Sequence, residues 1–318
     1  MAFKSKRRTA LSSLMRITLA SLFGSICGFG LIDSKLSIAA NIPSAIEDRQ
    51  FISSDGIKLH YLSGGQGEQT LVFIPGWLMP AEIFQSQLNY FSQRYKVIAL
   101  DPRSQGKSDI YINPNSVKLA EARAKDIHEL LIHSKTQNRI ILIGWSLGVM
   151  ESLDYIHRYG TQGIDALVLI DNSIGEGQPP QNTLPNKKSK NLNTDEFKNY
   201  IKSFVRGIFK SNPPTNVVQP VENSALRLSN QPNAAFQILN KPYQREYYRD
   251  ALYTSQIPVW YAITPKFSKQ AELLNAKYPL GSSTVYPNAG HALFVDQADA
   301  FNQQLEEFIN NKTKLAQR

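Results

Sequence analysis

The stretch RIILIGWSLGVMESLDYIHRY, Arg139 to Tyr159, decides how the chain folds. It opens on an aliphatic run of strand length, closes that run with Gly144-Trp145-Ser146-Leu147-Gly148, and passes without a break into a helical pattern. A strand that turns this sharply into a helix holds the intervening serine in a strained backbone with its hydroxyl raised above the sheet. The small residues two positions to either side let neighbouring chain pass close. The helix that follows aims its free N-terminal amides at negative charge developing beside the serine. The pentapeptide alone is common, but strand, Gly-x-Ser-x-Gly turn and helix in that order are a specific signal for a nucleophilic serine.

Working outward, IKLHYLSGG, TLVFIPG, YKVIALD, ALVLID, PVWYAIT and SSTVYP are further runs of strand length, with helical segments between most of them. Unbroken Val/Ile/Leu runs, rather than strict alternation, indicate strands covered on both faces, hence a mainly parallel sheet. The expected fold class is α/β, a doubly wound sheet. The rhythm breaks between Asp171 and Ile257. There the polar stretch GEGQPPQNTLPNKKSKNLN precedes helical patterns in TDEFKNYIKSFVRGIFK, VENSALRLSNQPNAAFQIL and REYYRDALYT. An insertion of that length is a helical cap rather than a loop. The expected organisation is a core over residues 41–172 and 256–318 with a cap over 173–255, inserted after the strand ending at Asp171.

The chain has 318 residues, 42% of them hydrophobic, which argues for a large buried core and against disorder or a fibrous repeat. Its N-terminus carries basic KSKRR, the apolar run Ile17 to Ile32, and small residues at Ala39 and Ala40. That pattern reads as a secretory signal over residues 1–40, giving an exported protein, periplasmic or secreted. The alternative is an uncleaved membrane anchor, although the run falls short of the ~20 residues a spanning helix needs. Cys27, the one cysteine, would leave with the signal, so neither a disulfide nor thiolate chemistry is expected. The first 40 residues hold six Lys/Arg and one Asp, so their loss takes the formal charge from +9 to about +4, which weakens a nucleic-acid reading, and no nucleic-acid partner is expected. Ser173 to Ser255 holds 11 Lys/Arg against six Asp/Glu, and its basic surplus reads mainly as solvated surface.

With these elements in place, the chain resembles the α/β-hydrolase family from about Ile52 to its C-terminus. LVFIPGW looks like the family's strand and oxyanion loop, with Pro75-Gly76 where His-Gly is usual. By that analogy the amides of Trp77 and Leu147 form the oxyanion hole. ALDPRSQGKSD is similar to the family's Asp-x-Arg-Gly-x-Gly-x-Ser loop, with Ser104 in place of a glycine. There Asp101 and Arg103 are expected to brace the loop rather than react.

A serine nucleophile needs a base. Of the five histidines, His60 lies in an early strand, His128 and His133 precede the serine on a helix, and His157 is well along the helix after it. The family order is serine, acid, histidine, and His291, in PNAGHALFVDQ, follows the last strand. The commonest place for the acid, a Gly-x-x-Asp segment, here reads ITPKF and holds no carboxylate. Glu272 would have to reach back about two helical turns, or roughly 11 Å. Some members carry the acid after the strand that follows the serine helix. In this chain Asp171 stands there, 25 residues after Ser146. Asp171 is therefore expected to orient His291, with a role in capping the turn as the alternative. Glu151 and Asp154 read as ordinary polar positions on the serine helix.

The resemblance implies a serine hydrolase acting on a small-molecule acyl substrate, a carboxylic ester first, through Ser146, His291 and Asp171, with no metal and no organic cofactor. Lactone or amide hydrolysis, cofactor-free haloperoxidase or perhydrolase activity, and a non-catalytic small-molecule receptor are the alternatives on the same scaffold. Phe197, Phe204, Phe209, Phe236, Tyr247 and Tyr248 are expected in the cap's core or the pocket, and Lys266 in solvent. The sequence leaves the oligomeric state open.

Overall fold

Every residue of Thr70–Ile74 and Ile140–Trp145 is buried, as unbroken aliphatic runs require of strands covered on both faces. In the computed structural model, described here over residues 45–136, 139–177, 192–240 and 242–315, these are the third and fifth of eight strands in one sheet. The strands are β1 (Glu47–Ile52), β2 (Lys58–Gly64), β3 (Thr70–Ile74), β4 (Lys96–Asp101), β5 (Ile140–Trp145), β6 (Ile164–Ile170), β7 (Val259–Ile263) and β8 (Gly281–Val285). Their spatial order is β1-β2-β4-β3-β5-β6-β7-β8. Only β2 runs against its neighbours, so the sheet is mainly parallel, as expected. The N-terminal segment expected to be a secretory signal, with Cys27, and most of the polar stretch after Asp171 lie outside the described residues.

Side chains alternate between two cores. Phe73, Ala99, Ile143 and Val168 face one side, where α1 (Gln85–Phe91) and α10 (Ala298–Leu315) pack. Val72, Ile98, Leu142 and Leu167 face the other, beneath α2 (Ser116–His133), α3 (Leu147–Tyr159) and α8 (Ser268–Lys277). The insertion after β6 supplies α4 (Thr194–Gly207), α5 (Thr215–Ala225), α6 (Pro232–Ile238) and α7 (Arg245–Thr254). Asn193 starts α4 with a capping box closed by Glu196. Phe197, Ile201 and Val205 of α4 and Phe236 of α6 extend the first core upward, whereas Tyr248, Ala251 and Leu252 of α7 join the second core beside α3. The cap-like helices are thus α4 to α6, and α7 belongs to the layer flanking the sheet. The short α9 (Leu293–Asp296) follows the last strand.

One strand escaped the sequence reading. β1, EDRQFI, is exposed at all but Phe51, so it carries no apolar run, and it pairs with β2 at the sheet edge. Its charges also discourage pairing with another chain. Among the described residues no helix is long and apolar enough to cross a membrane.

Candidate active site

Ser146 stands between β5 and α3 at φ 54° and ψ −117°, a left-handed conformation that costs a non-glycine residue about 1–3 kcal/mol. The flanking glycines make the turn possible by close approach. A methyl group at Gly148 would lie 2.2 Å from the Ile74 carbonyl oxygen, and one at Gly144 would lie 2.3 Å from that of Gly148. The first turn of α3 therefore sits directly on the end of β3. Gly76, at that end, brings its own backbone against Ser146: an added Cβ there would be 3.0 Å from the serine Cβ.

His291 lies in the turn after β8, with its Nε2 2.8 Å from Ser146 Oγ and its Nδ1 2.7 Å from Asp171 Oδ2. A carboxylate at that place only accepts, so the ring proton belongs on Nδ1 and Nε2 is left to accept the serine hydroxyl. Trp145 Nε1 donates to the His291 carbonyl at 2.9 Å and fixes the loop from below. Asp296 fixes it from the side, accepting from the Gly290 amide at 2.7 Å and from the Lys210 and Ser211 amides where the chain leaves α4. Burial alone would raise the Asp296 carboxyl. Hydrogen bonds from Ser211, Lys210 and Gly290 outweigh it and hold the group below the usual carboxylate range.

Asp171 does not close its strand but follows it. β6 ends at Ile170, and Asp171 turns into the left-handed region at φ 46° while its amide still donates to Ala262 O at 2.9 Å. The turn swings the carboxylate out of the sheet toward His291. Its second oxygen, Oδ1, accepts from both the N–H and the hydroxyl of Thr264, each at 2.7 Å. Asn172 Nδ2 donates to the Ser146 carbonyl and ties the two turns together.

Glu272 is exposed on α8 and paired with Lys269, and it is absent from the cavity lining. The structure thus brings Ser146, His291 and Asp171 together and leaves Glu272 out. His60, His128, His133 and His157 bond or stack elsewhere.

The two residues expected at the oxyanion hole flank the serine. Leu147 opens α3, so its N–H has no acceptor within the helix. Trp77 follows Gly76, and its indole Nε1 donates to Ala235 O at 2.7 Å while its ring packs on Phe204 and Phe236, which anchors the loop in the cap. A buried relay shapes that loop further. Gln105 donates to the carbonyls of Gly76 and Met79 and accepts from the Leu78 amide; Arg123 holds Gln105 Oε1, and Glu151 pairs with Arg123.

Two expectations on the serine helix are corrected here: Glu151 and Asp154 are buried, not ordinary surface positions. An acid among helical apolar residues gives no sign, in sequence, of the arginine that will meet it. Burial raises both carboxyls, against the pull of Arg123 on one and of Tyr247 and Arg158 on the other. As expected, Asp101 and Arg103 brace their loop: Asp101 accepts from the Ala81 and Lys107 amides, and Arg103 pairs with Asp55 and Asp126.

Ser146, Asp171 and His291 open on a cavity of about 740 Å³, within the range of small-molecule sites. Met150, Phe204, Ile208, Leu239, Tyr248 and Phe267 give it an apolar body. Among the described residues no group of three or more His, Cys, Asp or Glu could hold a metal ion. The arrangement suits one kind of chemistry: a hydroxyl with a base at hydrogen-bond distance, and a carboxylate that orients the base.

Comparison with known proteins agrees with this fold. The family model described as alpha/beta hydrolase fold matches residues 69–298. A human protein, serine hydrolase BPHL, is 30% identical over 132 residues, 39% of this chain; the match spans 45% of that protein's length. A pimeloyl-[acyl-carrier protein] methyl ester esterase of Proteus mirabilis is 23% identical over 265 residues, covering 78% of this chain and 95% of that one. Among solved structures, the esterase RhEst1 from Rhodococcus sp. ECU1013 superposes with a TM-score of 0.69 at 22% identity, over 83% of this chain and 99% of that chain, a likeness of fold.

Proposed function

The chain belongs to the α/β-hydrolase fold family, and from that premise we propose that it is an exported serine hydrolase cleaving a carboxylic ester of a small molecule through a covalent acyl-enzyme. The observation that carries the reading is the unbroken line from Ser146 Oγ through His291 to Asp171, with separations of 2.8 and 2.7 Å, at the floor of a largely apolar cavity.

In this reading Ser146 Oγ attacks the ester carbonyl carbon while His291 Nε2 takes its proton. The carbonyl electrons move onto oxygen, where the amides of Trp77 and Leu147 receive them. Asp171 stabilises the imidazolium that forms. Collapse of the intermediate breaks the bond to the alcohol oxygen, which leaves with the proton from His291. Water then enters; His291 takes a proton from it, its oxygen attacks the acyl carbon, and Ser146 leaves with that proton as the acid product departs. Every proton moves through His291, so no metal or organic cofactor is required.

Two relatives named for serine hydrolysis and for methyl ester hydrolysis support the class of reaction. The basic, apolar and small-residue sequence at the N-terminus supports export. Turnover of a simple aryl ester, abolished in Ser146→Ala with the fold retained, tests the activity and separates an enzyme from a receptor. Cell fractionation with N-terminal sequencing of the mature chain tests export.

A further inference from the structure

The charges facing the cavity are lopsided. Among the described residues its one carboxylate, Asp171, has both oxygens engaged, one by His291 and the other by Thr264. Against it, among the described residues, stand two cations, Arg245 at the start of α7 and Lys266 just after β7. Arg245 Nη2 donates to the neutral carbonyl of Glu176 at 2.7 Å, and its Nε is buried with no partner. Lys266 is exposed at the rim, its Nζ 5.2 Å from the centre of the Phe267 ring.

Nearby acids are committed elsewhere. Glu176 pairs with Lys277, Asp250 with Arg249 and Glu272 with Lys269, so among the described residues neither cation has a carboxylate partner. Residues 178–191 contain no Asp or Glu that could supply one. The Arg245 wall is also firmly placed: a methyl group at Gly175 would lie 2.5 Å from the Arg245 carbonyl oxygen, so the two backbones are in close contact.

An apolar cavity with uncompensated positive charge at one side favours a ligand with an apolar body and an anionic end. We propose that Arg245 and Lys266 are specificity residues that select esters carrying a second, anionic group, of which a half-ester of a dicarboxylic acid is the simplest case. The assignment rests on the ester-hydrolase reading of Ser146 and names the substrate class of that same site. Arg245 places a fixed positive charge in the wall, and Lys266 gives a solvated charge at the mouth.

The test compares kcat/KM for aryl half-esters of dicarboxylic acids with that for aryl esters of monocarboxylic acids of equal chain length. The wild-type protein is expected to prefer the anionic series. Arg245→Gln should lower the anionic-to-neutral ratio about tenfold and Lys266→Gln about fivefold, the size of a charge contact in the wall and of one at the solvated rim. Lys266→Glu should lower it further, and added salt should weaken the Lys266 contribution because that side chain is at the surface.

A ratio near unity in the wild type, or one that stays within about twofold in the Lys266 and Arg245 variants, overturns the proposal. Lys266 is exposed, so its variants decide the matter even where Arg245→Gln fails to fold. Turnover of the neutral esters separates the two readings. With it, a flat ratio refutes only the anion selectivity; without it, and with no fluorophosphonate label on Ser146, the hydrolase reading falls as well.

Discussion

Thr264 donates both its backbone N–H and its hydroxyl to a single oxygen of Asp171, each at 2.7 Å, while the other oxygen of Asp171 faces His291 Nδ1 at 2.7 Å. Thr264 begins the segment in which the resemblance to relatives places an acid. In this chain the segment holds the carboxylate supplied by the neighbouring strand instead. Asp171→Asn should keep the fold and lower kcat by about 10³–10⁴-fold, because the amide no longer fixes the ring proton on Nδ1. Glu272→Gln should leave kcat near the wild-type value. Steady-state kinetics with an aryl ester reads both, and the opposite ranking would reassign the acid.

Thr264→Val removes the hydroxyl donor and leaves the amide. It should lower kcat by about tenfold, the worth of one hydrogen bond to a charged group. In an Asp171→Asn background the same substitution should change kcat little, since the group it positions is gone. An equal loss in both backgrounds would assign Thr264 to general stability.

The Trp77 amide depends on a loop whose carbonyls at Gly76 and Met79 are held by Gln105, itself held by Arg123. Gln105→Leu should reduce kcat by about tenfold or more with a smaller change in KM, as loss of an interaction made chiefly in the transition state does. Kinetics that change in KM alone would place the relay in substrate binding.

How much of this was legible in sequence follows from how local each signal is. Ser146 was plain because its strand, turn and helix are contiguous, and the glycines that permit the turn flank it directly. His291 was found by chain order. Asp171 emerged only because ITPKF lacks a carboxylate, and the same absence concealed Thr264, whose role depends on a bond across 93 residues of sequence separation. Gln105, Arg123 and Glu151 form a buried line from three separate segments. Nothing in the spacing of any one segment announces the other two. β1 went unseen because an edge strand of exposed, charged residues has no apolar pattern to show.

Gly148→Ala tests the close approach behind the turn. A Cβ 2.2 Å from the Ile74 carbonyl oxygen meets backbone, which cannot swing away. The variant should lose about 4 kcal/mol or more, or fail to fold. Gly160→Ala, where an added Cβ meets nothing within 4 Å, should cost only the strain of its φ of 72°. Chemical denaturation ranks the two.

His60 joins β1 to the core, with Nδ1 2.7 Å from Asp101 and Nε2 2.8 Å from Asp48. Burial and Lys107 oppose its charge, but the two carboxylates outweigh them, so the imidazole titrates above its ordinary 6.5. A group raised on folding contributes stability that is fully present below its unfolded value and lost as pH rises through its folded one. Tm should therefore fall as pH is raised above about 6.5, and His60→Asn should flatten that slope. An unchanged slope in the variant would move the effect to other groups.

The most direct measurement is covalent labelling of the folded protein with a fluorophosphonate, followed by peptide mass mapping. The account predicts a single adduct on Ser146, lost in Ser146→Ala and strongly slowed in variants of His291, with aryl-ester turnover disappearing in step. Folded protein that takes no label, or takes it at another residue while ester turnover persists in Ser146→Ala, would contradict it.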